Sequence, residues 1–194
     1  MPAMLYEIAS LLLQVTTGMF TGLCLLRLYM QYQRIPLSSR SGNPFGPFLF
    51  ALTDWLILPL RRVIPSVGRV DLSSLLGAIL GQLVAFALEW LLRGGVGNWE
   101  TVLVLAVFGL MRMAISLCTG VVIVYAVLSW VQTSSPLSDL THRLVSPLLA
   151  PIRRILPLVG GVDLSVLVLL LLLQVGAIVI GTLQSTVLLA LLGP

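Results

Sequence analysis

Long stretches of chain without a single charge limit what this sequence can become. Between Glu7 and Arg27 lie 19 uncharged residues, between Asp71 and Glu89 17, between Arg112 and Asp139 26, and after Asp163 a further 31. A helix crosses a hydrocarbon layer with about 17–25 such residues at ~1.5 Å each. It also satisfies its own backbone hydrogen bonds there, which an open strand does not. Four spanning helices are therefore predicted, at about 5–31, 71–92, 101–131 and 164–191. The third leaves two alternatives open. Residues 102–111 either extend it as a longer, tilted helix or form an interfacial lead-in. Composition points the same way, with 58% hydrophobic and 9% charged residues and a mean hydropathy of +1.09. Soluble domains carry about 25% charge, so this chain lacks the polar surface to dissolve as a monomer.

All 11 basic residues are Arg, against seven acidic ones. Scattered among apolar runs they form no basic stripe, and nucleic acid is set aside as a partner. The segment 32–70 holds Arg34, Arg40, Arg61, Arg62 and Arg69; the segment 132–162 holds Arg143, Arg153 and Arg154. The connection 93–100 has only Arg93. The positive-inside rule then predicts both long connections in the cytoplasm and both termini outside, in a bacterial inner membrane the periplasm. The first apolar run is too long, and lacks the basic leader, for a cleaved signal peptide.

The sequence PLRRVIPSVGRVDLS from Pro59 recurs as PIRRILPLVGGVDLS from Pro151, 92 residues on, and the same offset relates Pro44 to Pro136 and Gln82 to Gln174. Each copy reads helix, Pro/Arg-rich cytoplasmic segment, helix, giving repeats over 1–92 and 93–194. Two crossings return the chain to its starting side, so the copies run parallel, with pseudo-two-fold symmetry about the membrane normal. The expected fold is all-α and integral to the membrane: four transmembrane helices as two parallel repeats, each with a short interfacial or re-entrant helical segment. Those segments are expected at 45–58 and 137–150, about 10–12 residues each and too short to span.

The doubled P-x-R-R-x-x-P-x-x-G-x-x-D-x-S, preceded by Asn43-Pro44-Phe45 in one copy and Ser129-Trp130 in the other, resembles the YggT family of small membrane proteins. The likeness covers essentially the whole chain. Arg69 departs from it where the second copy has Gly161. The resemblance implies a bacterial inner-membrane protein of a family linked to osmotic-shock tolerance and cation homeostasis. It also implies a genomic neighbourhood near cell-division genes in some bacteria, and plastid relatives that assist cytochrome b6 maturation.

Within each motif, Pro59 and Pro65, and likewise Pro151 and Pro157, bracket five residues, permitting one turn at most. Arg61, Arg62, Arg153 and Arg154 are thereby expected in rigid turns at the headgroups, where each contributes about 1 kcal/mol towards an anionic leaflet. They serve either as topology determinants and lipid clamps or as an anion or partner site around the pseudo-two-fold axis. Asp71 and Asp163 open apolar runs and are expected to cap the helices that follow, with Arg62–Asp71 and Arg154–Asp163 bridges compatible with the cap. Cation coordination is the rival role.

Gln82 and Gln174 lie 11 residues past their Asp, about 16 Å along each helix and near the midplane. Interhelical bonding or a polar transport path are the alternatives. Glu89 and Arg112 fall at one height, about 27 Å from the cytoplasmic end, and an ion pair between them is expected. Gly18/Gly22 and Gly77/Gly81 offer close helix approach. With two Cys inside membrane spans and one His, no disulfide framework, haem site, cofactor or metal cluster is expected.

A non-enzymatic protein follows. The leading expectation is support of osmotic tolerance and ion homeostasis as a small channel or transporter, homo-oligomeric because four helices enclose little pore. The alternative is an assembly or scaffold factor, for cytochrome maturation or cell division, that grips a membrane-protein partner or the anionic bilayer through its Arg motifs.

Overall fold

The computed structural model describes residues 2–37, 45–64, 66, 68, 70–95, 98–131, 135–155 and 163–192. The described secondary structure is helical: α1 (Pro2–Tyr32), α2 (Gly46–Val63), α3 (Leu72–Leu92), α4 (Glu100–Val131), α5 (Pro136–Arg153) and α6 (Ser165–Leu192). Four of them, α1, α3, α4 and α6, are long and apolar enough to cross a membrane. α4 runs unbroken through Arg112, which decides for the longer helix at 102–111. Its 32 residues measure about 48 Å.

The short segments are longer than expected. α2 and α5 each have 18 residues, and α2 continues through Pro59 and α5 through Pro147 and Pro151. Proline removes one backbone N–H, but its fixed φ suits a helix. At Pro59 and Pro151 the loss falls in the final turns. The Arg pairs therefore sit on helical turns or just past them, not in rigid Pro-bracketed loops. Pro65 and Pro157, along with Arg40, Arg69 and Gly161, lie outside the described residues.

Both short helices are amphipathic and bury equivalent faces: Leu49, Thr53 and Ile57 on α2, and Thr141, Val145 and Leu149, each 92 residues on, on α5. The chain leaves α1 through Arg34 in a left-handed conformation (φ 56°), and the Ile35 N–H donates to the Met30 carbonyl. That turn carries Ile35 and Leu37 into a cluster with Met30, Leu49, Leu140 and Leu144, which joins the two repeats at the motif end of the bundle. A Cβ on Gly46 would collide with the Leu37 carbonyl oxygen, so only glycine admits this crossing.

α1 packs along α3, α4 along α6, and α3 and α1 pack against α4. The α1–α3 seam is close because Gly77 and Gly81 face Cys24 and Thr21, while Gly22 takes the Met113 methyl of α4. Among the described residues α6 has no packing on α1 to match that of α3 on α4. The helices thus depart from the expected pseudo-two-fold symmetry. α3 is held on two sides, and α6 rides on the outside of the second repeat.

Candidate functional site: paired Arg–Asp clamps and two polar cavities

α2 and α5 deliver their Arg pairs to the N-termini of α3 and α6. Arg61 Nη2 lies 2.5 Å from Asp71 Oδ2, which also accepts from Ser74 Oγ at 2.8 Å. In the second repeat Arg153 reaches Asp163 Oδ2 through Nε (3.0 Å) and Nη2 (2.5 Å), and Nη2 also donates to the Tyr125 hydroxyl. The expected partners were the neighbouring Arg62 and Arg154. Helical periodicity explains the correction. Because α2 does not break at Pro59, Arg61 stands one turn beyond buried Ile57 on the same face, as Arg153 stands beyond Leu149. Arg62 and Arg154 point about 100° away and are exposed.

The two carboxylates do different local work. Asp71 occupies the N-cap position of α3, yet its side chain bonds no backbone amide; it is used by Arg61 and Ser74. Its Oδ1 is buried without a partner. Asp163 behaves more as expected and accepts from the Ser165 N–H and hydroxyl. Burial pushes both carboxyls up, but the hydrogen bonds and guanidinium charge outweigh it and hold both below the usual value. Asp71 is 3% exposed and Asp163 28% exposed, so the first clamp is the more deeply set. A 480 Å³ polar cavity beside it is lined by Gln31, Arg34, Arg61 and Asp71.

One buried pair escaped sequence reasoning. Arg27 of α1 is 1% exposed and donates through Nη1 to Thr53 Oγ1 (2.7 Å) and Asp54 Oδ1 (2.6 Å) of α2, with its guanidinium 4.9 Å from the Phe50 ring centroid. The available signal was Asp54, the one charge in the stretch 45–58, together with the Arg that ends the first apolar run. At the 92-residue offset the second repeat has Thr119 and Ser146, so this pair has no copy.

The intramembrane polar residues do not arrange as expected. Gln82 is buried, with its Oε1 against Gly109 of α4, where a Cβ would come within 2.5 Å. Gln174 is exposed on the outer face of α6. The pair is equivalent in sequence and inequivalent in space, because α3 has a neighbour where α6 has none. Glu89 pairs with Arg93 at 2.6 Å, one turn on, and not with Arg112. The counted heights do not hold either: Gly109, one turn farther from the motifs than Arg112, packs against Gln82 and Phe86, so Arg112 stands nearer the level of Gln82 than of Glu89, and Glu89 takes its i,i+4 neighbour. Glu89 and Arg112 nonetheless line one 410 Å³ cavity with Gln82, Gln14 and Gln184 at the end opposite the motifs.

Between the polar cavities at the two ends lies a packed cluster of Cys24, Leu25, Ile57 and Ala78, closed from α4 by Leu110, Ala114 and Leu117. Asp71 to Gln82 along α3 spans about 16 Å, and that stretch also holds buried Thr21, Arg27, Thr53, Ser73 and Ser74.

The profile of the CCB3/YggT family matches this chain twice, over residues 6–92 and 104–184, once for each helix-clamp-helix unit. The chain belongs to the CCB3/YggT family. Among curated relatives, a Vibrio alginolyticus protein described as an uncharacterized protein in the proC 3' region is 37% identical over 89% of this chain and 92% of its own length. The uncharacterized protein YggT of Escherichia coli K12 is 36% identical, over 86% of this chain and 85% of its own. An uncharacterized Pseudomonas aeruginosa protein is 34% identical, over 81% and 80% respectively. No solved structure matches.

Proposed function

We propose that this CCB3/YggT protein is a non-enzymatic assembly or scaffold factor of the bacterial inner membrane. In this reading it grips a membrane-protein partner, or the anionic leaflet beside one, with Arg62 and Arg154. The supporting observation is the division of labour within each Arg pair. Arg61 and Arg153 are taken up by Asp71 and Asp163, whereas Arg62 and Arg154 stand exposed, with no carboxylate partner among the described residues. Arg62 lies in the last turn of α2 and Arg154 caps α5, both amphipathic helices packed on the bundle. Two guanidinium groups are thus presented at one face with little orientation left to lose on binding. By the positive-inside argument we assign that face to the cytoplasm and the termini to the periplasm.

Osmotic tolerance and ion homeostasis through a small channel or transporter is the second reading, favoured by a polar cavity at each end. An ion crossing this conformation would meet the packed Cys24, Leu25, Ile57 and Ala78 cluster and the buried Arg27 guanidinium, a barrier that conduction must remove by helix movement or by oligomerisation.

Reconstitution separates the two. On the scaffold reading, liposomes holding the purified protein pass no Na⁺ or K⁺, and a photo-crosslinker placed at position 62 or 154 traps one defined membrane protein in cells. With the cross-linker at one of these positions, exchanging the Arg at the other for Gln abolishes the cross-link, and Arg62→Gln/Arg154→Gln abolishes the cellular phenotype with thermal stability unchanged. Saturable cation flux insensitive to those exchanges would establish the transport reading instead.

A further inference from the structure

Arg112 leaves a charge inside the membrane that the clamps do not use. Gly109, one turn farther from the motifs, packs against Gln82 and Phe86, and the Met113 methyl lies against Gly18 and Gly22. Those neighbours stand midway along α3 and α1, so Arg112 lies near mid-span. It is exposed and makes no ion pair among the described residues. Its exposed neighbours Val15 and Met111 are apolar, so the position opens on acyl chains. A cation at that depth is costly and is found almost always beside an anion or in a water-filled interior.

A groove between α1 and α4 starts at this residue. The 410 Å³ cavity that Arg112 lines with Gln14 and Thr17 of α1 shares Met113 and Ser116 with a 310 Å³ apolar cavity nearer the motifs. Leu26 and Met30 of α1 wall the second cavity, and Leu140 and Leu144 of α5 line its end. Arg112 to Val124 along α4 gives the groove a length of about 18 Å. Ser116 and Gly120 keep its α4 wall low, and a Cβ on Gly120 would meet open space. The repeat shows what shape is missing. α3 seats Gln82 at Gly109 of α4, and 92 residues earlier the equivalent of Gly109 is Thr17, where α6 makes no matching contact. An acyl chain would fill the apolar part and leave Arg112 without an anion. A second copy offers no free carboxylate at this level. Asp54, Asp71, Glu89 and Asp163 are taken by arginines, Glu7 and Glu100 lie near the far ends of α1 and α4, and Asp139 lies on α5. We propose that the groove takes a transmembrane helix of a partner protein, with a carboxylate near the midpoint of that helix paired to Arg112. This surface is separate from Arg62 and Arg154 and stands or falls without them.

The full chain, carrying a fluorescent donor, is reconstituted in phosphatidylcholine liposomes. The probe is an acceptor-labelled synthetic helix of about 20 Leu and Ala residues with one central Glu, and energy transfer reports association. Because Arg112 lies near mid-span, the central carboxylate reaches it in either orientation of the peptide. The Glu peptide should bind about tenfold more tightly than its Gln counterpart, near the upper end of what one polar contact between membrane helices supplies. Arg112→Gln should remove that preference and Arg112→Lys should keep most of it. Arg112→Glu should transfer it to a peptide with a central Arg, a rescue that a damaged fold would not give. Gly120→Leu should weaken binding of both peptides, whereas Val179→Leu, at an exposed position on α6, should change neither. Equal binding of the Glu and Gln peptides to the parent, or a preference that survives Arg112→Gln, overturns the proposal. Energy transfer between copies of the chain that Gly120→Leu abolishes and the Glu peptide does not displace would give the groove to a second copy, and overturns it as well.

Discussion

Arg27 offers the sharpest test of how charge is held inside this bundle. Its guanidinium is 1% exposed, while Asp54, which it meets at 2.6 Å, is 33% exposed. The two partners should therefore respond unequally to loss of the other. With Asp54→Ala, Arg27 keeps Thr53 and the Phe50 ring but remains a buried cation without an anion. Breaking a buried pair costs about 3–5 kcal/mol, and the partial exposure of Asp54 lowers the expectation to about 2–3 kcal/mol. With Arg27→Met, the desolvated charge disappears and Asp54 turns towards solvent or headgroups, at a net cost of about 0–1 kcal/mol. Arg27→Met/Asp54→Ala should then cost little more than Arg27→Met alone, leaving a coupling of at least about 1.5 kcal/mol, tenfold in the unfolding equilibrium. Equilibrium unfolding in mixed SDS micelles measures all four corners of the cycle. Thiol labelling of Cys24, which is 0% exposed one turn before Arg27, reports opening at the same place. Additive costs, or an Arg27→Met variant worse than Asp54→Ala, would refute the argument.

Three further outcomes follow from the same packing. Arg61→Gln strands buried Asp71 and should cost about 1–3 kcal/mol, Arg153→Gln under ~1 kcal/mol because its pair is more exposed, and Arg62→Gln within ~0.5 kcal/mol; unfolding midpoints rank them. The Asp71 and Asp163 carboxyls are held below an ordinary value of 3.8, so their stabilisation is complete above that value and is lost as pH falls through the lower, folded one. Melting curves of the parent and of Asp71→Asn/Asp163→Asn should run a constant distance apart from pH 5 to 8 and converge only below about 3.8. Gly109→Ala drives a Cβ to 2.5 Å from Gln82 Oε1 and 2.7 Å from the Phe86 ring, and should destabilise by about 1–3 kcal/mol. Gly120→Ala, which meets nothing within 4 Å, should gain up to ~1 kcal/mol from helix propensity, as thermal unfolding will show.

The spanning helices were legible because a charge-free run of 17 or more residues has few other outcomes, and observed ends fall within a few residues of those read from the charges. The clamp was half legible. Composition and repetition singled out Arg61, Arg62 and Asp71, but which Arg would bond depended on whether α2 survived Pro59. A proline in a final turn loses little, so the helix continued and set the phase in favour of Arg61. Glu89 and Arg112 failed for a related reason: α4, at 32 residues, is longer than one crossing, so counting from its motif end overstates the height of Arg112, and azimuth and neighbour depend on packing. Gln174 repeats Gln82 in sequence but faces outward, since α6 lacks the partner that α4 provides to α3.

That inequality bears on what the duplication makes. Cys24, Leu25 and Ala78 of the first repeat are covered by Leu110, Met113, Ala114 and Leu117 of the second. Met30 and Leu49 likewise share a cluster with Leu140 and Leu144. The two units thus pack along both seams, and a local device is carried twice across them. The clamp can be duplicated because its bonds stay within one unit: Arg61 to Asp71, and Arg153 to Asp163 and Tyr125. The Arg112 cavity cannot, because its walls come from α1 and α3 of one unit and from α4 and α6 of the other. A function resting on the clamps should therefore survive, weakened, when one copy is disabled. A function resting on the cavity should be lost to a single substitution in it.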